Sequence, residues 1–246
     1  MGFIELFVFP HAGGHKHNYS VFASLFSSTI SLNILEYPGR GARAQEPLFE
    51  DREELVDYLC EQIIPRINPP YAFWGHSMGA TLGYMVARRM KQLGYPLPLH
   101  LFASGRQAPS VKPEEIIHNL PSKEFWNKLI VMNGISEALI ENEEVLEYFE
   151  PILRADCKIA DAYSYEPGVP LPLPISILIG REDQFVDCQK IAPWQKETTH
   201  QLQVQEFAGG HFFVFQHSKE VAELIHNTLG CSQLSNKASA RSGIVN

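Results

Sequence analysis

The pentapeptide Gly75-His-Ser-Met-Gly79 limits what this chain can fold into more than any other feature. It follows the apolar run Tyr71–Trp74 and precedes the helical pattern Ala80–Leu93, which puts a serine at a tight strand-to-helix turn. In so tight a turn a side chain at Gly75 or Gly79 would collide with neighbouring backbone, and the strain holds the Ser77 hydroxyl out at a sheet edge. The rest of the sequence fits a sheet of parallel strands joined by crossover helices. Short β-branched and aromatic runs at Phe3–Phe9, Leu32–Tyr37, Leu99–Ala103, Ile175–Ile179 and Val204–Phe207 alternate with amphipathic stretches. Those stretches are Asp51–Ile64, Met78–Leu93, Asp187–Trp194 and Ser218–Leu229, the first opened by the cap pair Asp51 and Glu54. The expected fold class is α/β, a mostly parallel central sheet flanked by helices.

This rhythm breaks between residues 110 and 172, where no strand is expected. Helical segments at Ser122–Val131 (capped by Ser122), Ser136–Leu139 and Glu143–Tyr163 are followed by the stretch Glu166–Pro174, whose prolines forbid helix and most pairing. A helical insertion closed by a stiff linker is read as a lid over a site. The chain is read as one domain over residues 1–230, with 231–246 a polar, disordered tail.

Composition excludes some partners. A net charge of −8, from 28 acidic and 20 basic residues, argues against broad binding to nucleic acid or an anionic membrane. No apolar run approaches the roughly 20 residues of a membrane-spanning helix, and the opening apolar run lacks the basic start of a signal peptide. Cys60, Cys157, Cys188 and Cys231 show neither disulfide nor metal spacing, which favours a reducing cytoplasm. No oligomer signature is visible, and a monomer is the default.

A serine hydroxyl is a poor nucleophile until a base takes its proton. Of the ten histidines, His211 in Gly209-Gly-His-Phe-Phe213 follows the last strand and precedes the last helix, where the α/β-hydrolase fold places its base. The orienting carboxylate is expected after Ile175–Ile179, in Gly180-Arg-Glu-Asp-Gln184; Asp183 is the choice, Glu182 the second candidate and Asp187 the third. Oxyanion donors are expected from the Met78 N–H at the helix start and the Ala12 N–H in the loop Phe9-Pro-His-Ala-Gly-Gly14, with His11 bracing that loop. His76 is expected to pack away from the nucleophile, and His15 and His17 to line the mouth of the site. The pocket is expected to take its shape from His11, His15, Met78, Phe125, Trp126, Met132 and Phe212.

Six motifs together resemble the type II thioesterases, the free-standing editing enzymes of polyketide and non-ribosomal peptide synthesis. They are Phe9-Pro-His-Ala-Gly-Gly14, Tyr37-Pro-Gly-Arg-Gly41, Gly75-His-Ser-Met-Gly-Ala80, Ser104-Gly-Arg106, Gly180-Arg-Glu-Asp183 and Gly209-Gly-His-Phe-Phe213, in order over nearly the whole chain to about Leu229. The resemblance implies an α/β-hydrolase fold with a helical lid. It implies hydrolysis of aberrant or stalled acyl thioesters on the phosphopantetheine arm of acyl- or peptidyl-carrier proteins, through a serine acyl-enzyme. It implies no metal and no organic cofactor, since the phosphopantetheine belongs to the substrate. Carrier proteins of such systems are acidic, so Arg40, Arg43 and Arg106 become rim candidates, with a structural role favoured for Arg40. The few residues before the first strand read as a stand-alone protein and not a domain cut from a synthase. Competing readings are a general carboxylesterase or acyl-CoA thioesterase, a chain-terminating thioesterase, and a non-enzymatic interaction module.

Overall fold

The computed structural model describes residues 3–26, 28–67, 70–131, 142–162 and 164–230. The expected helix Ser136–Leu139, Met132 and the tail 231–246 lie outside them. Six strands form one all-parallel sheet: β1 (Ile4–Phe9), β2 (Ile30–Ile34), β3 (Tyr71–His76), β4 (Leu101–Ser104), β5 (Ile175–Gly180) and β6 (Gln203–Phe207). Their order is β2-β1-β3-β4-β5-β6, so the winding direction reverses between β1 and β3. In open parallel sheets that reversal leaves a crevice at the carboxyl ends of the strands, where ligands bind.

The sheet is covered on both faces, which is why its central strands read as continuous apolar runs. Side chains alternate across it: Phe7, Phe9 and Phe73 join the core on one face, Leu6, Val8 and Trp74 the core on the other. The covering helices are α1 (Arg52–Ile63), α2 (Met78–Gln92), the short α5 (Phe213–Gln216) and α6 (Ser218–Thr228). The Asp51 carboxylate accepts from Glu54 N at 3.0 Å, the expected cap of α1.

Three expectations are corrected. The second strand runs over Ile30–Ile34 and not Leu32–Tyr37, because β1 starts at Ile4 and Ile4 pairs with Ile30. The segment expected as the helix Asp187–Trp194 forms two 3-10 turns, Cys188–Lys190 and Ala192–Glu197, with Pro193 opening the second. Ser122 does not cap: it is the first residue of α3 (Ser122–Val131), and its hydroxyl donates to Glu150 at 2.7 Å.

Between β4 and β5 the helices α3 and α4 (Glu143–Asp161) form the expected insertion, and no named strand interrupts them among the described residues. Phe125, Trp126, Leu129, Leu153 and Cys157 make a third apolar cluster, separate from the two sheet faces. Asn142 caps α4, and Pro151 lies inside it.

Candidate active site

The glycines flanking Ser77 are required by space. A Cβ on Gly75 would stand 2.2 Å from Gly79 O, and one on Gly79 would stand 1.9 Å from Phe9 O. Forced through this gap, Ser77 takes φ 56° and ψ −118°, and it is the one non-glycine residue at positive φ among the described residues. Its N–H donates to Ser104 O at 2.8 Å, tying the turn to β4.

Ser77 follows β3, Asp183 follows β5 and His211 follows β6, so three carboxyl-terminal strand ends contribute to one point. His211 Nε2 lies 3.0 Å from Ser77 Oγ, and His211 Nδ1 lies 2.8 Å from Asp183 Oδ2. The other Asp183 oxygen accepts the Phe185 N–H at 2.9 Å, and the residue is buried. A carboxylate only accepts, so Nδ1 carries the imidazole proton and Nε2 is left to receive the serine proton. The rival carboxylates are used elsewhere: Glu182 accepts from Gly209 N, and Asp187 accepts from Gln189 N at 2.8 Å.

Two of the backbone N–H groups expected near Ser77 have no acceptor among the described residues. In the loop after β1, His11 N–H donates to the Tyr19 hydroxyl, Gly13 N–H to Asp156 at 2.6 Å and Gly14 N–H to His11 O at 2.8 Å. That leaves the Ala12 N–H without an acceptor among the described residues. The Met78 N–H is in the same condition, as the first turn of a helix dictates. Sequence reasoning missed Asp156. Its two oxygens take the Arg40 guanidinium (2.7 Å on Oδ1) as well as Gly13, so α4 holds the glycine loop in place.

His76 packs as expected. The Ser104 hydroxyl donates to Gly75 O at 2.9 Å and receives Trp74 Nε1–H at 3.2 Å, so His76, 3.1 Å away, donates to it through Nδ1. Burial, then the nearby His211 and His11, holds the His76 ring neutral well below its ordinary range. His11 accepts from the Tyr19 hydroxyl at 3.0 Å and sits against His76, Phe212 and Phe215. Burial foremost, with His211, His15 and Arg40 nearby, pushes it down to about 3.

A cavity of about 980 Å³ opens on Ser77 and His211 and runs between α2, the end of α4 and the segment after β4. The side chains expected to shape it lie elsewhere. Phe125 and Trp126 turn inward to the α3–α4 cluster, where Trp126 Nε1–H donates to Glu150 at 2.7 Å. His15 caps a 3-10 turn at Lys16–Phe22, and His11 and Phe212 pack behind His211. The lining instead comes from Thr81, Tyr84, Met85 and Arg88 on α2, with Arg52, Arg106 and Tyr165. The α2 positions were legible as the helix face four, seven, eight and eleven residues beyond Ser77. Of the rim arginines, Arg40 is buried in its ion pair with Asp156, Arg43 pairs with Glu46 at 2.7 Å, and only Arg106 lines the cavity. No group of three or more His, Cys, Asp or Glu side chains among the described residues could hold a metal, and none of the described helices is long and apolar enough to cross a membrane.

Comparison with known proteins agrees with this geometry. A family model described as thioesterase domain matches residues 4–229. Gramicidin S biosynthesis protein GrsT from Aneurinibacillus migulanus is 32% identical over 94% of this chain and 89% of its own. ClbQ, from the colibactin NRPS/PKS pathway, superposes with a TM-score of 0.88 at 28% identity, covering 95% of this chain and 99% of that one. YbtT, a type II thioesterase from the yersiniabactin NRPS/PKS pathway, gives 0.85 at 26% identity over 92% of each chain.

Proposed function

The chain belongs to the thioesterase domain family and is a serine thioester hydrolase of the type II kind, and from that premise we propose that it strips aberrant or stalled acyl groups from the phosphopantetheine arm of carrier proteins in polyketide and non-ribosomal peptide synthesis. The observation that carries the reading is the single imidazole of His211, held between Asp183 at 2.8 Å and a backbone-strained Ser77 at 3.0 Å.

Ser77 Oγ attacks the thioester carbonyl carbon as its proton passes to His211 Nε2. Negative charge gathers on the carbonyl oxygen, and the Ala12 and Met78 N–H groups are there to meet it. They are fixed before the substrate arrives, so little reorganisation opposes the step. The tetrahedral adduct collapses, the carbon–sulfur bond breaks, and the imidazolium returns its proton to the departing thiolate. Water, deprotonated by the same Nε2, then attacks the serine ester and releases the acid. Asp183 holds the imidazole in the productive tautomer throughout. No metal or organic cofactor enters these steps, since the phosphopantetheine is carried by the substrate.

The test is hydrolysis of acetyl-loaded carrier protein by wild type and Ser77→Ala, with acetyl-pantetheine alongside. Loss of turnover in the variant and a preference for the carrier-bound group are expected. Equal efficiency on both substrates would keep the hydrolase and remove the carrier partnership, leaving a general thioesterase. Full turnover by Ser77→Ala would remove the triad.

A further inference from the structure

The cavity at Ser77 is a slot along one face of α2. Ser77, Thr81, Tyr84, Met85 and Arg88 all line it, and at about 1.5 Å rise per residue the eleven steps from Ser77 to Arg88 span roughly 16 Å. Arg89 donates to Glu53 at 2.9 Å, which sets the start of α1, and with it Arg52, beside the far end of α2.

Charge along the slot is uneven. Six acidic residues line it: Glu53, Glu114 and Glu115 are spent on Arg89, Lys190 and Lys128, Asp187 accepts from Gln189 N, and Glu166 and Asp161 complete the set. Asp161 is taken by His118 and two backbone N–H groups. Arg40, Arg43, Arg89, Arg154 and Arg181 each have a carboxylate within 3.5 Å. Of the four arginines that line the cavity, Arg52, Arg88 and Arg106 have none within that distance among the described residues. Among the described residues Arg106 donates to Ala160 O at 2.6 Å, and Arg52 to Ala162 O and the Ser164 hydroxyl. Arg88 donates to the Tyr84 hydroxyl at 3.0 Å and stands 4.0 Å from Glu197. A guanidinium carries five N–H donors in a planar fork, so each keeps several to spare. Arg52 Nε is buried with no partner. Burial lowers the proton affinity of both Arg52 and Arg106; Asp161 offsets part of this at Arg106 and Glu53 and Asp51 part of it at Arg52, while Arg52 is close enough to Arg106 to lower it further.

Half-buried guanidinium groups whose donors are not all met, two of them close enough to repel, favour an anion that joins them. We infer that Arg52, Arg88 and Arg106 form an anion site that takes the phosphate of the phosphopantetheine arm while its thioester lies at Ser77. This rests on the carrier-editing reading above. Length supports the match. About thirteen bonds separate phosphorus from sulfur in the arm, roughly 15 Å at the reach per bond of an extended chain, against the roughly 16 Å of slot between Ser77 and Arg88. Planar guanidinium forks match phosphate oxygens in pairs, which fixes how far the arm enters as well as holding it. The site works as a depth gauge: with the phosphate seated, the thioester reaches Ser77.

The experiment compares acetyl-4′-phosphopantetheine with acetyl-pantetheine, two small thioesters that differ only in the phosphate. Wild type is expected to favour the phosphorylated one at least about tenfold in kcat/KM, the equivalent of about 1.4 kcal/mol, chiefly through KM. In Arg52→Gln and Arg88→Gln the ratio is expected to fall to within about twofold of one, with Arg→Lys at either position recovering part of it. Equal efficiency of wild type on the two thioesters overturns the inference without any variant. So does an undiminished ratio in both variants. Should a variant not fold, competitive inhibition of wild type by free 4′-phosphopantetheine but not by pantetheine is the expected result, and equal inhibition by the two overturns the inference. Acetyl-loaded carrier protein in the same series keeps the two proposals apart. Preference for the carrier without phosphate discrimination removes only the anion site, and phosphate discrimination without preference for the carrier removes only the editing role.

Discussion

Replacing Asp156 by alanine should damage both the fold and the chemistry, by amounts the structure allows to be worked out. The Asp156 and Arg40 side chains are 2% and 6% exposed. Burial disfavours the charged guanidinium, yet Asp156 more than offsets it, and Arg40 holds its proton above the usual range. Removing the carboxylate strands that charge, which costs about 3–5 kcal/mol in buried pairs. The Gly13 N–H loses its acceptor as well, so about 4 kcal/mol is a moderate expectation. For a chain of this size each kcal/mol moves Tm by about 2–4 °C, so a fall of roughly 8–16 °C is predicted at pH 7. The functional loss follows from the same contact. Gly13 neighbours Ala12, and a peptide released at Gly13 no longer aims the Ala12 N–H. Loss of one oxyanion donor costs about 10²–10³ in kcat, which bounds the effect, and KM should move little.

The double variant Arg40→Met/Asp156→Leu separates the two effects. It removes both charges together, and apolar replacement of a buried pair is commonly neutral or stabilising, so Tm should recover. The Gly13 N–H still has no acceptor, so kcat should stay low. Thermal melts followed by circular dichroism and steady-state hydrolysis of an acetyl thioester read both quantities. An Asp156→Ala protein that melts within about 2 °C of wild type would refute the energetic argument. Full recovery of kcat in the double variant would refute the positioning of the oxyanion loop.

Asp183→Asn should fold normally and lose about 10⁴ in kcat, because the amide can donate to Nδ1 and select the wrong tautomer; a melt together with an acylation burst checks both halves. Gly79→Ala should yield no soluble enzyme, since its Cβ would meet the backbone oxygen of Phe9 at 1.9 Å and backbone cannot step aside; recovery of active protein would contradict it. Stability should fall on acidification. His11 is held down to about 3 and His100 to about 4 by burial and charged neighbours, and His76 lies well below its ordinary range. The unfolded chain takes up these protons near pH 6.5 and the folded one does not, so stability is complete above about pH 7 and is lost as pH falls through 6.5. Each ring contributes about 2 kcal/mol of loss between pH 7 and pH 5, and urea unfolding at the two values should differ by about 6 kcal/mol; a difference under about 2 kcal/mol would show that these rings are not held neutral.

The strand ends that carry Ser77, Asp183 and His211 were legible because local sequence dictates them. The glycines at positions 75 and 79 are forced by a turn of a few residues, and each of the three side chains follows its own apolar run. Choosing Asp183 over Glu182 rested on turn spacing alone, and the geometry places the two carboxylates on different partners. Contacts between distant segments were not legible. Asp156 meets Arg40 across 116 positions, and no periodicity within α4 distinguishes a residue that reaches the loop after β1 from any other on its buried face. Phe125 and Trp126 were expected to shape the pocket, but an insertion with its own small core needs them inside. The break at Pro193 was readable, and the helical pattern around it obscured the signal.

The insertion itself divides into two parts with different attachments. Beyond Pro151, α4 is bound to the body at four successive points: Asp156 to Arg40 and Gly13, Lys158 to Glu50, Ala160 O to Arg106, and Ala162 O to Arg52. Before Pro151 its polar contacts run to α3, as in Glu150 to Ser122 and Trp126. Proline has no N–H to give, so the helix ladder lacks one backbone hydrogen bond at the junction. Leu153 and Cys157, beyond Pro151, also pack against Phe125, Trp126 and Leu129 of α3, so a movement of α3 that leaves the Gly13 anchor intact has to open that cluster. The second half of α4 belongs mechanically to the catalytic floor. It touches the glycine loop through Asp156 and, at its other end, Arg106 and Arg52 through Ala160 O and Ala162 O.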